Sequence, residues 1–216
     1  MMDSKKKPAK KGPLRKTAEP RKQERGLLTR REIVEAARRI FARDGFDLAR
    51  LEDIASAAGK TRGAFYAHFK DKEDVFFAIF EEDIVRDKQR MAQRLEQAGT
   101  AEERRAALAE HLLSVVRDRD RMLLDLEFKL YAIRTPRRHR RLADLHAAMC
   151  LRGGDVDVEG LLPEWTCTSP EQKRRKSAEI GAMLDGLALN GMFAPNGIDD
   201  GRMLEHLKAG IGLVLE

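Results

Sequence analysis

In TRGAFYAHFKDK, residues 61 to 72, the side chains of Thr61, Arg62, Tyr66, Lys70 and Lys72 all carry hydrogen-bond donors, and three of them are permanently cationic. Phosphodiester oxygens accept from hydroxyls and cations alike, so this set suits a nucleic-acid backbone. Arg62 also has the forked guanidinium that can read a guanine edge with two hydrogen bonds. Catalytic patterns are missing. The His, Asp and Glu residues are scattered, with no metal-ligand spacing, nucleophile elbow or phosphate loop. Cys150 and Cys167 read as reduced thiols. The expectation is a binding protein, not an enzyme, with no cofactor and no metal.

Two short segments must position the donors, LEDIASAA and RGAFYAHF, which meet across Gly59-Lys60-Thr61. Leu51, Ile54, Ala55 and Ala58 predict a helix over about 51 to 58, which Gly59 ends by taking positive φ. Thr61 caps a second helix from Arg62 to Phe69, with Phe65 and Phe69 inward and Arg62, Tyr66 and Lys70 outward. Ahead of both, Leu28, Ile33, Val34, Ala37, Ile40 and Phe41 predict a helix over about 28 to 44, closed at Asp44-Gly45. Two short helices across a tight turn make a helix-turn-helix, whose second helix can enter a DNA major groove. The competing reading is a plain helical hairpin with a polar face. The small-residue turn and the donor cluster favour the first.

The stretch from Thr29 to about Phe80 resembles the N-terminal DNA-binding domain of the TetR family of bacterial transcriptional regulators. Ala37, Phe41, Gly45, Ile54, Ala55, Ala58, Gly59, Thr61, Gly63, Tyr66, His68, Phe69, Lys72 and Val75 fall in register on that family's pattern. The resemblance implies a homodimeric repressor on double-stranded DNA, at a palindromic operator, with a three-helix head and a larger helical body for a small-molecule effector. It implies DNA contacts from Arg50, Lys60, Thr61, Arg62, Gly63, Ala64, Tyr66, His68, Lys70 and Lys72. Two positions depart from the pattern. Ala49-Arg50 stands where the family has a Thr or Ser cap, and Arg50 could replace the missing phosphate contact ionically. Lys60 stands where Val is common, trading an apolar side chain for an exposed charge.

The composition, 42% apolar and 36% charged with only 6% aromatic, favours helices and an all-α fold. Nothing approaches the roughly 18 consecutive apolar residues of a membrane span, and the basic N-terminus lacks the apolar run of a secretory signal. A cytoplasmic protein is expected, with no membrane partner. Residues 1 to 31 hold 12 Lys and Arg against three acidic residues, a net +9, although the whole chain is only +6. Three domains are expected: a disordered basic tail over 1–26, a DNA-binding domain over 27–72, and a ligand-binding and dimerisation domain over 73–216. The tail reads equally as an electrostatic arm and as a solvated extension.

In the body, Asp71 caps a long helix carrying Val75, Phe76, Ile79, Phe80, Ile84 and Leu95. Thr100-Ala-Glu-Glu103 is a capping box opening a helix to about Arg117. Helices over about 122–133 and 136–151 follow, then a long loop over 152–168. The last two run from Pro170 to Gly191 and from about Asp200 to Leu215. His111, Met122, Leu126, Tyr131, Met149 and Trp165 combine apolar bulk with polar or soft atoms and are the effector candidates, against ordinary core packing. Ile180, Met183, Leu184 and Leu187 form one stripe and Leu204, Leu207 and Ile211 another, which predicts a four-helix dimer interface, unless they pack within one chain. The run RTPRRHRR, Arg134 to Arg141, invites a second nucleic-acid site, against a solvated face partly neutralised by Asp144. Control by a protein partner, without a small effector, is the alternative function. An arm that neutralises phosphates should steepen the salt dependence of DNA binding. Deleting residues 1 to 26 should therefore flatten the slope of log K against log[salt] by about 0.9 for each phosphate the arm neutralises, and an unchanged slope would leave the tail no role on DNA.

Overall fold

The computed structural model describes residues 18–152, 161–163, 165–167 and 169–215, without the side chains of 18–22 and 149–152. Among them are nine helices and no strand: α1 Ala18–Asp44, α2 Leu51–Ala57, α3 Arg62–Tyr66, α4 Lys72–Glu96, α5 Ala101–Arg117, α6 Arg119–Arg134, α7 Pro136–Arg152, α8 Pro170–Phe193 and α9 Asp200–Leu215. None of the described helices is long and apolar enough to cross a membrane.

The helix starts follow local chemistry. Thr61, Asp71, Asp118 and Ser169 each accept a hydrogen bond from a backbone N–H in the first turn of α3, α4, α6 and α8. Thr100 and Glu103 close the capping box of α5 in both directions. Asp118 lets α6 begin at Arg119, three residues before the expected start. α3 is shorter than expected and ends at Tyr66.

Two expectations about α1 are corrected. The disordered tail was expected to reach residue 26, but α1 starts at Ala18; residues 1–17 lie outside the described residues. Arg21 to Arg25 are mostly straight-chain helix formers, and Pro20 falls in the first turn, where its missing N–H is no loss. Leu28 was expected in the core and is 57% exposed. It lies five positions before Ile33, which turns it off the stripe of Ile33, Val34, Ala37, Ile40 and Phe41.

The core runs across the division expected at residues 72 and 73. Phe41, Phe46, Ile54, Phe65 and Phe69 of the N-terminal segment share one apolar cluster with Phe76 and Ile79 of α4, Leu124 and Phe128 of α6 and Leu142 of α7. The Phe76 and Phe128 rings stack 3.7 Å apart, and Phe46 meets both edge-on. A second cluster in the body joins Met91 and Leu95 of α4, Leu108 to Val116 of α5, Leu187 of α8, and Met203, Leu207 and Ile211 of α9.

That second cluster takes Leu187, Leu207 and Ile211 out of the predicted dimer stripes and leaves Ile180, Met183, Leu184 and Leu204 partly buried against it. Leu207 and Ile211 are wholly buried against their own chain, and Leu187 is buried beside them. Ile180, Met183 and Leu204 pack against the same core, with the Met183 sulfur tight against Gly210. Leu184 lines a cavity. The most apolar stripe of each helix went to the interior, where burial removes the most surface from water.

A polar collar surrounds the aromatic junction. The Phe46 N–H donates to Glu127 of α6, and Lys72 Nζ donates to the carbonyls of Phe46 at 2.9 Å and Asp47 at 2.6 Å. Buried Glu73 accepts from the Tyr131 hydroxyl at 2.7 Å and from Arg138 of α7 at 2.6 Å. Gly45 makes the turn possible: its φ is +80°, and a Cβ there would lie 2.6 Å from a Glu127 carboxylate oxygen. Gly45→Ala should therefore destabilise the fold by about 1–3 kcal/mol through strain and crowding. The urea midpoint should drop at constant m-value, and an unmoved midpoint would mean that the turn relaxes freely.

Candidate nucleic-acid interface

α2 and α3 form the expected helix-turn-helix. Gly59 has φ +65°, its N–H donates to the Ser56 carbonyl and the Lys60 N–H to the Ala55 carbonyl. This is a Schellman closure, and it returns α2's last carbonyls to hydrogen bonding. Thr61 caps α3, its hydroxyl oxygen accepting from the Ala64 N–H at 3.2 Å. Fully buried Phe65 and nearly buried Phe69 anchor α3, so Arg62, Gly63, Tyr66 and Lys70 face solvent.

The predicted DNA contacts divide under this geometry. Arg50, Thr61, Arg62, Gly63, Tyr66 and Lys70 are exposed, and Arg50 stands at the start of α2 with no side-chain cap bond, as its residue type implied. Arg62 is held in place by a salt bridge to Glu52 at 2.9 Å and lies over the Tyr66 ring, whose hydroxyl accepts from it at 3.3 Å. That hydrogen bond, with the charge of Glu52 behind it, raises the Arg62 pKa further above its ordinary value. Ala64 and His68 are half-buried, His68 beside Gly26 of α1.

Two lysines are corrected. Lys60 was expected as an exposed charge in the turn, but its ammonium lies 2.7 Å from Glu32 of α1. Lys72 was expected on phosphate, but it turns inward to the Phe46 and Asp47 carbonyls and the Phe46 and Tyr131 rings. Burial lowers its pKa, against the opposing pull of Asp47 and Glu73. Lys72 opens α4, and the two carbonyls of the turn after α1 sit within reach of its ammonium.

Between α4, α5, α6, α7 and α8 the body holds a half-open cavity of about 160 Å³. Phe76, Ile79, Phe80, Met122 and Leu184 make its walls apolar. Its polar groups are paired charges. Lys129 lies 2.6 Å from Asp125 and 2.7 Å from Asp185, and His146, stacked on Phe80, is 3.0 Å from Asp125. Burial would raise the Asp125 carboxyl, but the His146 hydrogen bond and the Lys129 charge hold it below the usual range. Beneath, buried Asp83 receives both guanidinium nitrogens of Arg38, at 2.8 and 2.9 Å, and also Arg86.

Of the predicted effector residues whose side chains are described, Met122 lines this cavity and the others do not. His111 is buried in the body core, 4.0 Å from Asp87, with its pKa lowered by burial, and Leu126 and Trp165 are part-buried elsewhere. Tyr131 belongs to the junction, and the Met149 side chain lies outside the described residues. The cavity's charged residues were missed because charge on a helix reads as solvent-facing. One signal existed: Asp83 falls seven residues after Phe76, on the same inward stripe.

The model of bacterial regulatory proteins of the tetR family matches residues 33–79, and that of the BetI-type transcriptional repressor C-terminal domain matches residues 101–216, more than half of the chain. The chain belongs to the TetR family. Among its relatives, the HTH-type transcriptional repressor AcnR of Corynebacterium efficiens is 41% identical over 80 residues, 37% of this chain and 40% of AcnR. The chain thus matches well under half the length of that relative. A putative TetR-family regulator from Mesorhizobium loti has the same fold, with TM-score 0.61 and 22% identity over 88% of this chain and 96% of its own. FadR of Bacillus subtilis, solved with stearoyl-CoA, superposes with TM-score 0.58 and 18% identity over 86% of this chain and 97% of its own.

In this TetR-family head Lys70 is exposed and Lys72 is bonded to two carbonyls, so their substitution should have different effects. Lys70→Ala should leave the melting temperature unchanged and reduce the salt slope of DNA binding by about 0.9 for each phosphate that Lys70 neutralises. Lys72→Ala should instead lower the melting temperature, because it strands two carbonyls that now have an ammonium partner. A reduced salt slope for Lys72→Ala with unchanged melting would return that lysine to the DNA.

Proposed function

We propose that the protein is a homodimeric transcriptional repressor that binds a palindromic double-stranded operator through α2 and α3 and leaves it when a small molecule occupies the body cavity. The observation that carries this is the double use of α6. Met122, Asp125 and Lys129 on one face line the cavity, and Phe128 and Tyr131 on another join the head's core and polar collar. A ligand that shifts α6 must therefore disturb the seat of the DNA-binding helices. The stearoyl-CoA bound by FadR supports a small-molecule role for this body fold.

The dimer surface we infer is the face of α8 and α9 left outside the core. Phe193 is 88% exposed, Leu213 75% and Leu189 55%, with Ala178, Ala182 and Gly186 continuing the α8 face at helical spacing. Small residues below large ones let two helix pairs approach closely, and water disfavours leaving such a stripe bare. Two copies give two recognition helices, which a single short α3 needs for specificity. Control by a different protein docking on the same face is the competing reading.

Selection of bound sequences from a random DNA pool, followed by release with candidate ligands, tests the function. Gly181 lines the cavity, and a Cβ there meets nothing within 4 Å, so Gly181→Leu should fold, keep its DNA affinity and lose release by the ligand. Ligand and DNA must also weaken each other by the same factor. Equal ligand affinity with and without DNA, or normal release of Gly181→Leu, would defeat this mechanism. For the dimer, Leu189→Glu with Phe193→Glu should sediment as a folded monomer with weakened operator binding. A variant that remains dimeric would exclude this face.

A further inference from the structure

We propose that the arginine face at the start of α7 (Arg137, Arg140 and Arg141) grips the DNA backbone outside the half-site read by the helix-turn-helix. This rests on the DNA-binding reading above and extends it to a surface on the body. The first observation is position. Arg138 is bonded to Glu73, the second residue of α4 and three residues after Lys70, which pins the start of α7 beside the phosphate-facing end of the head. Arg141 lines the same groove as Lys70 and Arg30, which places a cation of the body across one groove from cations of the head.

The second observation is charge without compensation. Arg38, Arg43, Arg62, Arg86 and Arg121 each meet a carboxylate. Arg137, Arg140 and Arg141 are exposed and have no ion-pair partner among the described residues, and Asp144, one turn on, forms none with them. Residues spaced at i, i+3 and i+4 share one helix face, so the three like charges repel one another in the free protein. An external polyanion would relieve that repulsion.

The chemistry selects the anion. Residues 137 to 141 span about 6 Å of helix axis, which matches roughly two successive phosphates of one strand. The groove is also lined by Asp71, Glu73, Asp74 and Glu81, so a phosphate is attracted to the exposed arginines and not into the groove. A duplex already held at Lys70 needs only to run on past its half-site to reach those arginines. An anionic lipid surface or an acidic protein would have no such head start.

The test uses the full chain and a duplex enriched from a random pool, either trimmed to the core footprint or extended by about ten base pairs at each end. The long duplex should bind more tightly and with the steeper salt slope. Arg137→Ser/Arg140→Ser/Arg141→Ser should erase that increment, by about 0.9 in slope for each phosphate the face neutralises, and bind the short duplex like the parent. The matching triple lysine variant should keep most of it. If the serine triple melts early, Arg140→Ser alone reads the share of a single arginine. Equal slopes on the two duplexes for the parent, or an increment that survives the serine triple, overturns the proposal. So does loss of binding to phosphatidylglycerol vesicles in that variant with the flank increment intact, which assigns the face to lipid. A parent protein that enriches no duplex fails the DNA-binding reading itself, and this extension with it.

Discussion

The Phe76 ring lies flat on Phe128, and that stack sits where the core of the head joins the core of the body. Phe76 belongs to the first turns of α4 and Phe128 to the middle of α6, and Phe46 closes the cluster from the turn after α1. Stacked and edge-on rings hold relative orientation as well as burying surface. Because one core spans both parts, the head does not hang from a linker. A displacement of α6 has no soft segment in which to be absorbed.

Around the stack, charged groups are used as fasteners. Lys72 on two carbonyls, Glu127 on the Phe46 N–H and Glu73 between Tyr131 and Arg138 satisfy groups that would otherwise be stranded at a buried turn. Similar chemistry ties α1 to the body through Arg38 and Asp83. Such part-buried pairs add little net stability, since desolvation offsets much of the attraction. They fix one arrangement, however, since losing either partner leaves a charge without compensation.

The surface follows the opposite logic. Arg50, Lys70 and the α7 arginines remain in water, where keeping a charge solvated costs nothing and a polyanion gains by replacing counterions. Arg62 is intermediate, exposed but already oriented by Glu52 and Tyr66, so less side-chain freedom is left to lose on binding. Lysines 70 and 72, two residues apart, thus differ in surroundings: one stays in water and the other is held on backbone carbonyls.

The sequence alone determined what depends on near neighbours in the chain. Apolar periodicity located the helices, Gly45 and Gly59 marked the two positive-φ turns, and Thr61, Asp71, Thr100 and Ser169 marked the caps, because these signals act within about four residues. The motif in register around Gly59 made the helix-turn-helix and its exposed donors legible. Tertiary structure decided which of several usable faces each helix buried. Leu207 and Ile211 looked free to meet a partner until α5 covered them, and Lys72 looked free to meet DNA until the Phe46 carbonyls took its ammonium. The cavity was illegible for the same reason: Asp83, Asp125, Lys129, His146 and Asp185 come from four helices, and only packing brings them together. Periodicity reports that a helix has an apolar side, but which neighbour covers it is a long-range contact that no local spacing encodes.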